Sequence, residues 1–99
     1  MKRKDVISRL KQTEPALRAV GVESLYLFGS YARDEATPES DIDVFIDPSP
    51  TQPFGFLPFM TACETIEAAV RGASVDYGTR QGLHPMLRPD IEREAIRVF

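Results

Sequence analysis

The chain has 99 residues, of which 42% are hydrophobic and 27% charged, and a formal net charge of -3. This length suits one small domain, and the twelve Lys and Arg residues are scattered, which argues against direct nucleic-acid binding. The single cysteine, Cys63, excludes an intrachain disulfide and a cysteine-based zinc site. Neither a signal peptide nor an apolar stretch long enough to span a membrane is present, so we expect a cytoplasmic protein.

Two short helices and a buried strand are predicted at the start of the chain. Apolar residues recur at helical spacing over residues 6–20, and the two helices are expected to meet near Thr13. We expect Thr13 to cap the second helix, with Pro15 in its first turn. The sequence ESLYLFG then predicts a short strand that ends at Gly29.

A polar loop separates this strand from a second one that carries unusual charge. Residues 30–33 predict a short helical turn, and DEATPES (34–40) predicts a loop. The sequence DIDVFID (41–47) alternates three aspartates and a phenylalanine on one face with Ile and Val on the other. This alternation has the period of a β-strand.

The second half of the chain predicts a helix, a third strand and a final helix. Helical spacing runs over residues 56–72 and places Cys63 on the core side. ASVDYGT predicts the third strand, and PDIEREAIRVF the final helix. The expected fold is therefore α/β (α+β), with a small three-stranded mixed sheet and packed helices in a single domain over residues 1–99.

The aspartates of the second strand suggest a cation site. Asp41 and Asp43 lie about 7 Å apart on one strand face, so their side chains can converge on one hard cation or bridge two. Magnesium takes one or two protein carboxylates and leaves positions for phosphate oxygens. Without a cation the two carboxylates would repel each other. Asp76, in the middle of the third strand, is a candidate third carboxylate.

The residues before the polar loop suit a phosphate group. Gly29 allows a close backbone approach, and Ser30 offers a hydroxyl and an N–H group. A helix that begins there directs its free amides at an anion, and Arg33 adds positive charge one turn later. Together with the aspartates, these residues predict a nucleoside triphosphate site.

A purely structural role is an alternative interpretation for each of these residues. The aspartate pair would line an exposed strand face, and Asp76 would pair with an arginine or act as a cap. Arg33 would pair with Asp34 or Glu35. Ser30 would be an ordinary helix N-cap, which is compatible with phosphate binding.

The spacing of these residues resembles a known signature. Gly-Ser, ten intervening residues and Asp-x-Asp are typical of the polymerase-β-like nucleotidyltransferase superfamily. The matching residues are Gly29, Ser30, Asp41 and Asp43. Over its whole length the chain resembles the minimal nucleotidyltransferases, the MntA-type antitoxins that are paired with HEPN ribonuclease toxins. Asp76 is placed like the third carboxylate of the family, whereas Asp34 stands where the family usually has glycine, which puts the geometry of the turn in question.

The resemblance implies an enzyme that transfers AMP from ATP to a tyrosine hydroxyl of a HEPN toxin and releases pyrophosphate. It implies that Asp41, Asp43 and Asp76 are catalytic and bind two Mg²⁺ ions, Asp76 also helping to deprotonate the incoming hydroxyl. Gly29 and Ser30 would hold the triphosphate.

The acceptor is expected to be a protein. Because the catalytic module nearly fills the chain, the acceptor would bring its own binding surface, in a hetero-oligomer with the toxin. Two alternatives remain open: an antitoxin that neutralises its toxin by binding alone, and a nucleotidyltransferase for a small molecule such as an aminoglycoside.

Overall fold

The computed structural model describes residues 1–99 as five α-helices and four β-strands. The helices are α1 (Arg3–Lys11), α2 (Glu14–Ala19), α3 (Gly29–Ala32), α4 (Phe56–Ala69) and α5 (Arg88–Glu94). The strands are β1 (Val22–Phe28), β2 (Ile42–Pro48), β3 (Val75–Thr79) and β4 (Ile96–Arg97), and a 3₁₀ turn at Arg80–Gly82 follows β3. None of the helices has the length and apolar character needed to cross a membrane.

The strands form one mixed sheet in the order β3-β2-β1-β4. β1 is antiparallel to β2 and β4, whereas β2 and β3 are parallel. The predicted mixed α/β fold is confirmed, but the strand count of three was wrong. The predicted final helix ends at Glu94, because Ala95 is extended, and the next two residues pair with β1. The extended end places Val98 in the core, where it is 4% exposed.

The core lies between one face of the sheet and the helices α1, α2 and α4. Val6 and Leu10, one helical turn apart on α1, are fully buried, and Leu17 of α2 joins them. Cys63 is buried on α4, as expected. The sheet contributes its alternate apolar side chains to the same cluster: Leu25, Leu27, Ile42, Val44 and Ile46.

Thr13 lies between the first two helices and is the N-cap residue of α2, with Pro15 in the first turn, as predicted. Its side chain makes no capping hydrogen bond, because its backbone is helical, with φ -81° and ψ -8°, whereas a capping side chain needs an extended backbone to reach the amides ahead of it. The hydroxyl instead donates to the carbonyl oxygen of Leu10 at 2.6 Å.

The opposite face of the sheet carries stacked aromatic rings and a partly buried cation, Arg80. Phe45 stacks on Tyr26 with ring centroids 4.7 Å apart, and the Arg80 guanidinium lies 4.9 Å from the Phe45 ring. Both oxygens of Asp47 accept hydrogen bonds from Arg80 at 2.9 Å. Arg80 also donates to Glu92 at 2.7 Å, which fastens α5 to this face.

Replacing Arg80 by alanine is expected to lower the free energy of unfolding by about 2 kcal/mol, because two partly buried carboxylates lose their cation. The matched control is Arg88→Ala, which removes a more exposed arginine that pairs with the same Glu92 at 3.5 Å. This exposed pair should contribute less than about 0.5 kcal/mol. Urea unfolding followed by circular dichroism measures both values. Equal losses in the two variants would show that Arg80 has no special role in holding α5.

Candidate active site

Gly29 brings the backbone of one strand end against the carboxylate of the next strand. It follows β1 with φ +75°, a conformation that glycine adopts without strain. A Cβ atom at this position would lie 3.1 Å from Cγ of Asp43 and closer still to its carboxylate oxygen. Only glycine therefore allows this approach. Ser30 follows inside α3 and not at its N-cap, which is Phe28, so the N-cap alternative for Ser30 was wrong.

Two of the three predicted carboxylates lie side by side on neighbouring strands. Asp43 of β2 is in register with Asp76 of the parallel strand β3. Asp41 lies just before β2, is exposed and borders a separate depression beside Arg71. None of the three has a basic partner within 4.0 Å, so the alternative that Asp76 pairs with an arginine is not what the structure shows.

The electrostatics link all three aspartates. Burial raises the pKa of Asp43 to about 6, and the charges of Asp76 and then Asp41 push this pKa in the same direction. Arg33 acts in the opposite sense on the same pKa. A carboxyl group at this position holds its proton more strongly than an isolated one, because burial disfavours its charged form and its neighbours add negative charge. The negative charge of the three aspartates is therefore only partly balanced, by Arg33.

The donor set suits a magnesium ion that shares its ligands with phosphate. The side chains as they stand form no closed group of three able to hold a metal ion by themselves. Magnesium does not need one, since it is commonly bound through one or two carboxylates, with water and substrate phosphate as its other ligands. Asp43 and Asp76 supply such a pair, since they are in register on neighbouring strands.

Arg33 forms the ion pair with Glu35, one of the two pairs predicted as an alternative to phosphate binding. Its Nε donates to Glu35 at 3.1 Å, and its Nη1 donates to Glu94 at 3.0 Å. The same Glu94 oxygen accepts the backbone N–H of Gly29 at 2.7 Å. Sequence analysis missed Glu94, because no local pattern links the end of α5 to a turn 65 residues earlier.

Asp34, in the turn after α3, adopts a left-handed backbone conformation. With φ +60°, it is the one non-glycine residue in this region. Aspartate tolerates the region better than most residues, although at a cost relative to glycine. Asp34 therefore holds, at some cost, a conformation that glycine would adopt freely.

A cavity of about 320 Å³ opens beside Asp76. Its apolar wall comes from Phe28, Leu83, Leu87 and Ile91. An apolar ring of a nucleotide or an acceptor therefore has space next to a carboxylate.

Comparison with known proteins identifies the class. Residues 4–98 match the sequence model of the nucleotidyltransferase domain family. A protein of Methanocaldococcus jannaschii named as a protein adenylyltransferase (MJ1379) is 37% identical over 78 residues, which are 78% of this chain and 77% of that protein. A solved minimal nucleotidyltransferase superposes with a TM-score of 0.80 at 28% identity and covers 97% of this chain and 95% of its own.

A more distant structure shares the fold. It belongs to a complex of a tri-AMPylated Shewanella oneidensis HEPN toxin with an MNT antitoxin. The superposition covers 90% of this chain and 68% of that chain, with a TM-score of 0.58 at 16% identity.

The chain belongs to the nucleotidyltransferase domain family. Its resemblance to the minimal nucleotidyltransferases is confirmed, and so is the prediction that it is an enzyme.

Proposed function

We propose that the chain is a magnesium-dependent antitoxin enzyme that transfers AMP from ATP to a tyrosine hydroxyl of a cognate HEPN ribonuclease toxin. The observation that carries this proposal is the contact between the Gly29 turn and the Asp43 carboxylate, with Asp76 in register beside it. This arrangement places the Gly29 amide, which can donate to a phosphate, next to the Asp43 and Asp76 carboxylates, which can bind a cation. The names of the relative and of the toxin complex support AMP transfer to a protein.

The chain's residues have distinct tasks in this reaction. The Gly29 amide, the Ser30 hydroxyl and the Arg33 guanidinium bind the triphosphate and orient its α-phosphorus. Asp76 faces the acceptor and takes the proton of the attacking hydroxyl. The hydroxyl oxygen forms a bond to the α-phosphorus as the bond to the β-phosphate oxygen breaks, and pyrophosphate leaves with that electron pair.

Asp41, Asp43 and Asp76 would hold magnesium. When bound, two ions would neutralise the triphosphate and the charge that develops on the leaving pyrophosphate.

The surface beside the site suits a protein acceptor. Met86 and Leu87 precede α5 and are 81% and 56% exposed, and Leu87 also lines the cavity next to Asp76. Large apolar side chains grouped at a surface are typical of protein contact sites. A partner protein that covers them would place one of its own side chains near Asp76.

The test is to incubate the protein with ATP labelled at the α-phosphate, Mg²⁺ and the product of the neighbouring reading frame. Label should appear on that partner with the wild-type chain and with the matched control Asp90→Asn, an exposed aspartate of α5. No label should appear with the double variant Asp41→Asn, Asp43→Asn.

Two results would contradict the proposal. Full neutralisation of the toxin by the double variant, without any labelled partner, would indicate an antitoxin that acts by binding alone. Label on small acceptors such as aminoglycosides, and none on the partner, would indicate a small-molecule nucleotidyltransferase.

A further inference from the structure

Glu94 makes the contacts that a phosphate oxygen would make at this site. One of its carboxylate oxygens accepts the Gly29 N–H at 2.7 Å and the Arg33 Nη1 at 3.0 Å. The other oxygen accepts from the same Nη1 at 3.2 Å. A backbone amide and a guanidinium group are typical phosphate donors, and both are engaged by a side-chain anion.

The position of Glu94 adds charge where the other acids already repel one another. Asp43 lies in contact distance of Gly29, the residue that Glu94 binds. A triphosphate at the Gly29 turn would meet this fourth carboxylate directly, and like charges at such a distance repel strongly.

The hydrogen bonds of the Glu94 carboxylate can be broken without unfolding the core. Glu94 is the last residue of α5, and no residue of this helix is buried. The side chain of Arg33 is 47% exposed and has a second partner in Glu35. These contacts are hydrogen bonds of one partly exposed side chain, so Glu94 can leave Gly29 by a side-chain movement while α5 and the core stay in place.

We propose that Glu94 is a built-in competitor of the nucleotide, which must withdraw from the Gly29 amide and from Arg33 before a triphosphate can use these donors. Glu94 thereby sets the affinity for the nucleotide. The inference rests on the proposed function, since it takes the Gly29 turn as the triphosphate site.

The experiment measures binding and needs no acceptor. Isothermal titration calorimetry with inorganic tripolyphosphate, and with AMP-PNP plus Mg²⁺, is carried out on the wild-type chain and on Glu94→Gln and Glu94→Ala. Both variants should bind both probes about tenfold more tightly, because a charge-assisted contact no longer has to be broken. The matched control is Asp90→Asn, an exposed carboxylate of the same helix that pairs with Arg93 and makes no contact with Gly29 or Arg33. It should bind both probes as the wild type does.

Weaker or unchanged binding by the Glu94 variants would overturn the inference, and weaker binding would show that Glu94 supports the turn for the nucleotide. NMR of the wild-type chain provides a second measurement that needs no variant. Saturating AMP-PNP should shift the amide signal of Gly29, whose N–H donates to Glu94, and an unchanged signal would overturn the inference. If the wild type binds and the Glu94 variants bind no more tightly, only this inference fails. If no form of the protein binds AMP-PNP, the proposed function fails with it.

Discussion

Asp43→Asn is expected to remove nucleotidyl transfer and, at the same time, to stabilise the metal-free protein at neutral pH. The rate should fall by about 10³-fold, equivalent to about 4 kcal/mol of transition-state stabilisation. An asparagine in register with Asp76 leaves only one charged carboxylate of that pair to hold a cation. Transfer of label from ATP to the partner protein measures the rate.

The gain in stability follows from the raised pKa of Asp43. The carboxyl group has a pKa of about 6 in the folded chain against an ordinary value of 3.8. Between these values the folded state holds a proton that the unfolded state has lost, so stability falls as the pH rises through this window. Above pH 6 the Asp43 carboxyl group is charged, and the folded wild type is destabilised by the full cost of this charge. Asparagine has no proton to lose and avoids this cost.

The pH dependence separates this cause from others. At pH 7.5 the variant should be more stable by about 1 kcal/mol, a value reduced for the solvent that reaches this half-buried group. A gain of this size raises the melting temperature by about 4–8 °C in a domain of this length. Thermal unfolding with EDTA should show the gain at pH 7.5 and its loss near pH 4. The control Glu39→Gln, an exposed loop residue, should show no such difference. An Asp43→Asn variant that is less stable than the wild type at pH 7.5 would contradict the electrostatic account.

Sequence reasoning located those parts of the site that are encoded locally. Gly29 ends an apolar run, and Asp43 alternates with apolar residues, so each could be placed on an element without knowledge of the fold. Their contact follows from antiparallel pairing of β1 and β2, which brings Phe28 opposite Asp43. Asp76 was predictable for the same reason, as a charged residue inside a short strand.

The parts that were missed depend on pairs of residues far apart in the chain. Arg80 meets Asp47 from 33 residues away, and Glu94 meets Gly29 from 65 residues away. From sequence alone, the charged residues at the start and end of α5 resemble the solvent-exposed face of a helix. Their ion pairs with residues of other elements leave no periodic signal in the sequence. The fourth strand was missed because two residues are too few for a pattern, and its pairing depends on the free edge of β1.

Gly29→Ala is expected to destabilise the chain by about 3 kcal/mol and to lower transfer by about 10²-fold, for two separable reasons. The first is backbone strain, since alanine disfavours φ +75° by about 1–2 kcal/mol. The second is the collision of the new Cβ with the Asp43 carboxylate, which displaces that side chain from its register with Asp76.

Gly72→Ala isolates the first of these reasons. Gly72 has φ +96° but nothing within 4 Å of the position that a Cβ would take. Urea unfolding should therefore show about 1 kcal/mol of destabilisation for Gly72→Ala, from strain alone, and no change in transfer. An Asp43→Ala background removes the carboxylate and leaves only the Cβ of residue 43, 3.3 Å from the added Cβ. Gly29→Ala should therefore cost only slightly more there than Gly72→Ala does, a coupling that a double-mutant cycle measures directly. Equal effects of Gly29→Ala with and without the Asp43 carboxylate would mean that the turn and the carboxylate are not in contact, and the nucleotide site would have to be placed elsewhere.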